Sequence, residues 1–514
     1  MFNSCWKEFK AWARPRADAL DADFERRLLA QNPKLARAGY GPMSLYTSAY
    51  KTPYWLRAAS KGMALNPEFK RNGSFWVFEE YHHSCDYPIC RATMFVAAYS
   101  MLYPQGRMIY PEIYYSAWGR CNDGAVFQAH PGKFRFVAGS HQRRLVYDYV
   151  YGTAFFRDGK FGYWRDYGFH ARNPERETMA EFVTAWGKTL KNRPVASARA
   201  PFVMVDLDAF ERHGDYLETE CNYRIDAGEK VYGDWGDVCN TAEESIAYLH
   251  EKIALGGRVA PVVTDFRELD ALTPEVCEFV VLPPIVASTP PETLAVIRRL
   301  HARGVALLAT EEVAGLEDLF GVRRTAPRRI VSLGRERFAH KLAAAQYEAD
   351  GAETLLAAND GIPVVLAHRT RHGRTAFVNA PPTVLNRASM RGRFGHGQPN
   401  VSEELERGVR AAFAVLSPEP QILSERGEVC AARTADGALV VTIGDASPIY
   451  RDGERYPVSY VFTVRLPRIG DASVEADVPY SVVSRARDEL VLRAESEKDA
   501  AAFFRFGFGG PQSR

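Results

Sequence analysis

Glu112 and the adjacent pair Glu79 and Glu80 are the residues of this sequence best set to do chemistry. Each stands near the carboxyl end of an aromatic-rich, strand-like run: residues 74–81 (SFWVFEEY) for the pair and 107–115 (RMIYPEIYY) for Glu112. A carboxylate can act as general acid, general base or nucleophile, and aromatic faces beside it can stack on the apolar faces of sugar rings. A carbohydrate-processing enzyme would keep a catalytic carboxylate in the position of Glu112. The same aromatics also serve as ordinary core, so their density alone decides nothing.

The elements that must position these groups follow a rhythm. A third strand-like run covers 160–169 (KFGYWRDYGF), and stretches with helical spacing fill 89–103 and 141–157. Strand, helix, strand, helix, strand means a parallel sheet with crossover helices, and such sheets carry their chemistry at the carboxyl ends of the strands. Upstream, 2–29 reads as helix interrupted near Pro15, 38–46 as a short strand and loop, and 52–63 as a helix. Asn173-Pro174 starts a last helix over 175–190. Four strand-helix units are about half of an eightfold barrel.

From about 200 to 417 the pattern changes to continuous apolar strands alternating with helices, the mark of a doubly wound α/β domain. The strands are predicted at 201–207, 259–264, 279–284 and 305–310. The helices are predicted at 241–255, ending at Gly256-Gly257, and at 291–303, stopped by Gly304. A hairpin around His372-Gly373 joins 362–367 to 374–379, and a helix over 402–416 closes the domain. From 418 to 514 short strands alternate with the turn signals Asp436-Gly437, Asp452-Gly453 and Ile469-Gly470-Asp471, which predicts an antiparallel β-sandwich.

Composition narrows the function. Apolar residues make up 46% and charged residues 25%, with a formal charge of only +2, so no basic field invites nucleic acid. No apolar run approaches the roughly 20 residues that span a bilayer. The opening MFNSCWKEFKAW lacks the pattern of a secretory signal, so a cytoplasmic location is expected, with no membrane partner. The eight cysteines are scattered, as free thiols are. His82-His83-Ser84-Cys85 with Cys90 is a weak zinc pattern for want of a second pair, and no metal or cofactor is expected.

Partial barrel, doubly wound domain and β-sandwich, in that order, resemble the beta-galactosidases of glycoside hydrolase family 42. The wording is most similar in 279–310 (FVVLPPIVASTPPETLAVIRRLHARGVALLAT) and 361–379 (GIPVVLAHRTRHGRTAFVN). The resemblance implies a partial or rebuilt (β/α) barrel over 1–199, an amidotransferase-like trimerisation domain over 200–417 and a small β domain over 418–514. Amidotransferases set a cysteine on a tight turn after a strand. Cys277 precedes its strand, so the middle domain reads as structural. The runs at 38–46, 74–81, 107–115 and 160–169 would be barrel strands five to eight. Enzymes of this clan carry the nucleophile on strand seven, where Glu112 stands. Their acid/base glutamate follows an asparagine at the end of strand four, and no such pair occurs upstream here.

The resemblance therefore implies a retaining glycosidase acting on β-linked sugars, with Glu112 as nucleophile and Glu79 or Glu80 as proton donor or sugar ligand. Adjacent residues point to opposite faces of a strand, so only one of that pair can face the centre. Sugar contacts are expected from Tyr81, His82, Asp86, Tyr110, Tyr114, Trp118, Trp164 and Asp166. The alternative is a catalytically degenerate protein that binds carbohydrate or serves in an assembly. A homotrimer is expected, or a companion chain supplying the other half of the barrel. Glu311-Glu312 and the acidic run 234–237 read as solvated surface.

Overall fold

The computed structural model describes most of residues 199–508, with gaps at 205, 221–241, 255, 260, 265, 335–339, 383, 386–398, 401–402, 418–420, 425–427, 434–436, 445–457, 477 and 497–500. Before residue 199 it describes four strands and the helical positions 16, 19, 23, 26, 27, 30 and 31. The helices predicted at 52–63, 89–103, 141–157 and 175–190 lie outside the described residues.

The four N-terminal strands are β1 (Ala38–Gly41), β2 (Phe75–Glu80), β3 (Met108–Ile113) and β4 (Trp164–Arg165). They form one sheet in the order β1-β2-β3-β4, every pair parallel. Sequential parallel order needs a crossover of a dozen or more residues between neighbours, which the spacing of the runs provides.

A seven-stranded sheet follows, in the order β12-β13-β14-β9-β8-β5-β7. Its parallel centre comprises β5 (Ala200–Met204), β7 (Val262–Thr264), β8 (Cys277–Val281) and β9 (Ala306–Thr310). Strands β5, β8 and β9 are buried at every residue, as strands covered on both faces must be. Helices α1 (Leu207–Glu220), α2 (Ala242–Ala254) and α3 (Pro291–Ala302) belong to this part. The strand predicted to run to 207 stops at Met204. Asp206 caps α1, its carboxylate accepting from the Ala209 N–H at 3.2 Å. Helix α3 ends as predicted, with Gly304 at φ +97 just past its C-cap. A single turn, α4 (Glu317–Phe320), leads into a long hairpin, β10 (Val322–Leu333) and β11 (His340–Ala349), that the sequence pattern does not announce. Then come β12 (Glu353–Ala357) and the predicted hairpin of β13 (Pro363–Arg369) and β14 (Arg374–Val378), with β14 parallel to β9. The two-residue strands β15 (Val384–Leu385) and β16 (Pro399–Asn400) pair with each other.

Helix α5 (Glu403–Leu416) buries Leu405, Gly408, Val409, Ala412, Phe413 and Leu416, one face at helical spacing. A side chain at Gly408 would meet Val365 and Leu356 at 3.0 and 3.1 Å, so the glycine lets the helix lie close on the sheet.

The last strands are β17 (Gln421–Ser424), β18 (Glu428–Arg433), β19 (Leu439–Gly444), β20 (Val458–Arg465), β21 (Ser473–Ala476), β22 (Tyr480–Arg485), β23 (Glu489–Ser496) and β24 (Ala501–Gly507). They form two sheets, β17-β20-β23-β22 and β21-β24-β19-β18-β6, joined across the core by contacts such as Phe462 on Phe504 at 4.8 Å. The member β6 (Gly256–Val259) comes from the middle of the chain and pairs parallel with β18. The single strand predicted over 259–264 is thus two strands in two different sheets, parted at Pro261, which has no N–H for a ladder. Arg258 of β6 donates to the Ser417 carbonyl at 2.6 Å, and the Ser417 hydroxyl donates to Glu278 of β8 at 2.9 Å. Among the described residues, no helix is long and apolar enough to cross a membrane.

Gly257 has φ +74, and a Cβ there would lie 1.8 Å from the Ile422 carbonyl oxygen. Gly257→Ala should destabilise the fold by about 2–4 kcal/mol, combining left-handed strain with overpacking. Gly361→Ala, at φ +86 with nothing within 4 Å, is the control and should lose only the strain. Urea unfolding of both variants checks this; equal losses would contradict it.

Candidate functional site

The register of the N-terminal sheet arranges the predicted carboxylates. Glu79 pairs with Glu112, and Glu112 pairs with Trp164. These three positions form one row across β2, β3 and β4, near the carboxyl ends of the strands. Glu80 falls in the next row, with Ile113 and Arg165. Successive rows alternate between the faces of a sheet, so Glu79 shares a row with Glu112 and Glu80 does not. Tyr110 stands two residues before Glu112, in the row of Tyr40 and Val77, and so on the parity of Glu112. Neighbouring strands lie about 4.8 Å apart. Tyr81, His82, Asp86, Tyr114, Trp118 and Asp166 lie outside the described residues, as do the string from His82 to Cys90 and the acidic run 234–237.

A second group of ionisable residues overturns one expectation. Glu311 and Glu312 are not solvated surface: they are 0% and 1% exposed. They occupy the turn after β9, at the carboxyl end of the parallel sheet. Glu311 adopts φ +64, a left-handed conformation that costs a side-chain-bearing residue about 1–2 kcal/mol. Backbone bonds fix the turn: the Glu311 N–H donates to the Val378 carbonyl at 2.8 Å, and the Ile285 N–H donates to the Glu312 carbonyl at 2.8 Å.

The partners of the two carboxylates come from four elements. His213 Nε2 of α1 lies 3.1 Å from Glu311 Oε2, and the Ser245 hydroxyl of α2 donates to Glu311 Oε1 at 2.8 Å. Arg328 of β10, itself 5% exposed, bridges the pair at 3.3 Å to Glu311 and 3.4 Å to Glu312. Tyr216 of α1 and Tyr347 of β11 both donate to Glu312, the latter at 3.1 Å. Arg324 approaches Glu312 at 3.6 Å from the rim, and the Arg328 guanidinium lies over the Tyr216 ring at 5.3 Å. Two carboxylates thus face two guanidinium groups.

Burial alone would raise the Glu311 carboxyl, but His213 and Arg328 beside it, with the Ser245 hydroxyl, outweigh burial and hold it below the ordinary value of 4.5. Burial and the neighbouring Glu312 push the Tyr216 and Tyr347 phenols well above their usual range, so both remain donors. Cys277 is the first residue of β8 rather than preceding it. It is 1% exposed, with its thiol pushed up by burial and by Glu278. It is no activated nucleophile. The turn after β9 carries Glu311.

No protein-family model matches the sequence, and no curated protein matches it. Among solved structures the chain is similar to an exo-beta-1,4-mannosidase, Op5Man5, from Opitutaceae bacterium strain TAV5. The identity there is 11% and the TM-score 0.37, over 60% of this chain and 55% of that one. It is also similar to a polyextremophilic beta-galactosidase from the Antarctic haloarchaeon Halorubrum lacusprofundi. Here the identity is 12% and the TM-score 0.49, over 96% of this chain and 68% of that one. The chain spans 55% of the length of the mannosidase it matches.

Arg328→Met would leave two carboxylates buried without their bridging cation and should cost about 3–5 kcal/mol in urea unfolding. A loss under about 1 kcal/mol, the range of surface pairs, would contradict the buried centre. Glu311 also gives a pH signature. Its folded pKa is depressed, so its stabilisation is full above the unfolded value of 4.5 and is lost as pH falls through the lower folded value. Below pH 4.5, stability of the native chain should therefore fall more steeply than that of Glu311→Gln. Parallel slopes would show that Glu311 is not held ionised.

Proposed function

We propose that this chain is a glycoside hydrolase-like protein acting on β-linked sugars by a retaining mechanism, with Glu112 as nucleophile and Glu79 as acid/base. The observation that carries the reading is the row Glu79–Glu112–Trp164 near the strand ends. In this reading Glu112 attacks the anomeric carbon while the Glu79 carboxylic acid gives its proton to the departing oxygen. Water then attacks the glycosyl-Glu112 ester, and the Glu79 carboxylate takes the water's proton, which restores both groups. Two neighbouring carboxyl groups raise one pKa between them, as a proton donor requires. Trp164 would offer its ring face to the sugar, and Tyr110 would line the approach.

The resemblance in residues 279–310 and 361–379 extends the proposal. Residues 1–199 form a barrel-like catalytic segment, 200–417 a trimerisation module and 418–514 a β domain. A β-galactoside is the first substrate to offer, and a homotrimer, or a companion chain completing the barrel, is the expected assembly.

With an activated aryl β-galactoside, Glu112→Gln should abolish turnover while circular dichroism stays unchanged. Glu79→Gln should slow turnover by about 10²–10⁴-fold, with the smallest loss on substrates whose leaving group needs no proton. Glu80→Gln should leave the rate within a few-fold. Unchanged turnover in Glu112→Gln would sink the nucleophile, and a Glu80→Gln loss equal to that of Glu79→Gln would sink the donor. Sugar binding by calorimetry without any hydrolysis by the native chain would establish the carbohydrate-binding alternative instead.

A further inference from the structure

Strand β22 is the edge of its sheet, and all six of its residues, YSVVSR, are exposed. Tyr480, Val482 and Val483 expose 40%, 45% and 53% of their surface. Edge strands are usually defended by charge, and the one charge here is Arg485, whose guanidinium donates to the Gly470 and Ala472 carbonyls at 2.8 and 3.3 Å. Among the described residues, the strand thus offers an open row of backbone donors and acceptors beside apolar side chains.

The register with β23 assigns the faces. Tyr480, Val482 and Arg485 stand opposite Ala494, Leu492 and Leu490, all buried on the inner side. Ser481 and Ser484 stand opposite Arg493 and Val491, on the outer side. The register shifts between Val482 and Ser484, so Val483 is the extra residue of a bulge, and Val482 and Val483 together oppose Leu492. Without that shift, residues an odd number apart would lie on opposite faces.

We propose that β22 is the seam of a two-fold homodimer, in which it pairs antiparallel with β22 of a second copy of this chain about an axis between Val482 and Val483. That axis sets Tyr480 against Arg485, Ser481 against Ser484 and Val482 against Val483. Inner residues meet inner and outer meet outer, which the bulge alone makes possible. No like charges oppose each other, and the serines can exchange hydrogen bonds. This match of the strand to its own reverse selects a second copy over an unrelated peptide. The four-stranded sheet would continue as eight strands across the axis.

The test is sedimentation equilibrium of the full chain at roughly 1 to 100 µM, the range suited to a seam smaller than a standard interface. The native chain should reach twice the mass of the double variant Val482→Lys, Val483→Lys, with near-UV circular dichroism unchanged. This does not depend on the enzymatic reading. Equal masses for both proteins would overturn the proposal. If the lysine variant does not fold, cysteine pairing decides. Ser481→Cys, Ser484→Cys together should yield a disulfide-linked dimer above the native background, whereas either alone should not. Equal linking by the single variants, or none by the double, would overturn the seam.

Discussion

Burying two adjacent carboxylates at the end of a central strand is a constraint that the middle of the molecule is arranged to meet. Each buried charge would be costly alone, by several kcal/mol, and the backbone at Glu311 adds its own strain. The compensation is drawn from far along the chain: α1 brings His213 and Tyr216, α2 brings Ser245, β10 brings Arg324 and Arg328, and β11 brings Tyr347. These groups satisfy the carboxylates only if both helices and the hairpin are seated on the sheet together. The centre therefore fixes where the hairpin lies, which its exposed outer residues do not.

The hairpin shows the same economy of charge. Strand β10 carries Arg323, Arg324, Arg328 and Arg329, and each finds a carboxylate: Glu348, Glu312, the buried pair, and Asp360. The outer pairs are exposed and contribute little, about 0–1 kcal/mol each. The inner contacts are desolvated, and there geometry decides. One strand thus uses the same residue type for solubility on one side and for docking on the other.

Legibility in the sequence followed the range of the interactions. FVVLPP was readable because a strand covered on both faces needs an unbroken apolar run, and Pro291 and Gly304 bracket the next helix by local geometry. The row of Glu79, Glu112 and Trp164 was half readable. Strand ends and aromatics named the residues, but which glutamate shares the row depends on a register that a single strand does not contain. Glu311 and Glu312 misled because paired glutamates are exposed by default, and their partners are distant in sequence, from His213 and Tyr216 on α1 to Tyr347 on β11. Strand β10 was silent because four arginines and Pro327 read as loop until their carboxylates are known. The division at Pro261 was written in the sequence, but the pairing of β6 with β18 was not.

Register decides which residues share a row in the N-terminal sheet for a related reason. Residues 75–78 and 108–111 are apolar at every position, so hydrophobic alternation does not choose between registers there. The difference arises at the strand ends, where the carboxylates begin. A slip of one residue would bring Glu80 rather than Glu79 beside Glu112 and would turn Trp164 out of the row. Two carboxylates in one row repel unless a proton or a cation sits between them. Where two such groups do face each other, a shared proton relieves the repulsion. A proton shared between paired carboxyl groups is what a retaining glycosidase needs before its substrate arrives. On the proposed reading, a proton shared within the row is what would set Glu79 up as donor and Glu112 as nucleophile.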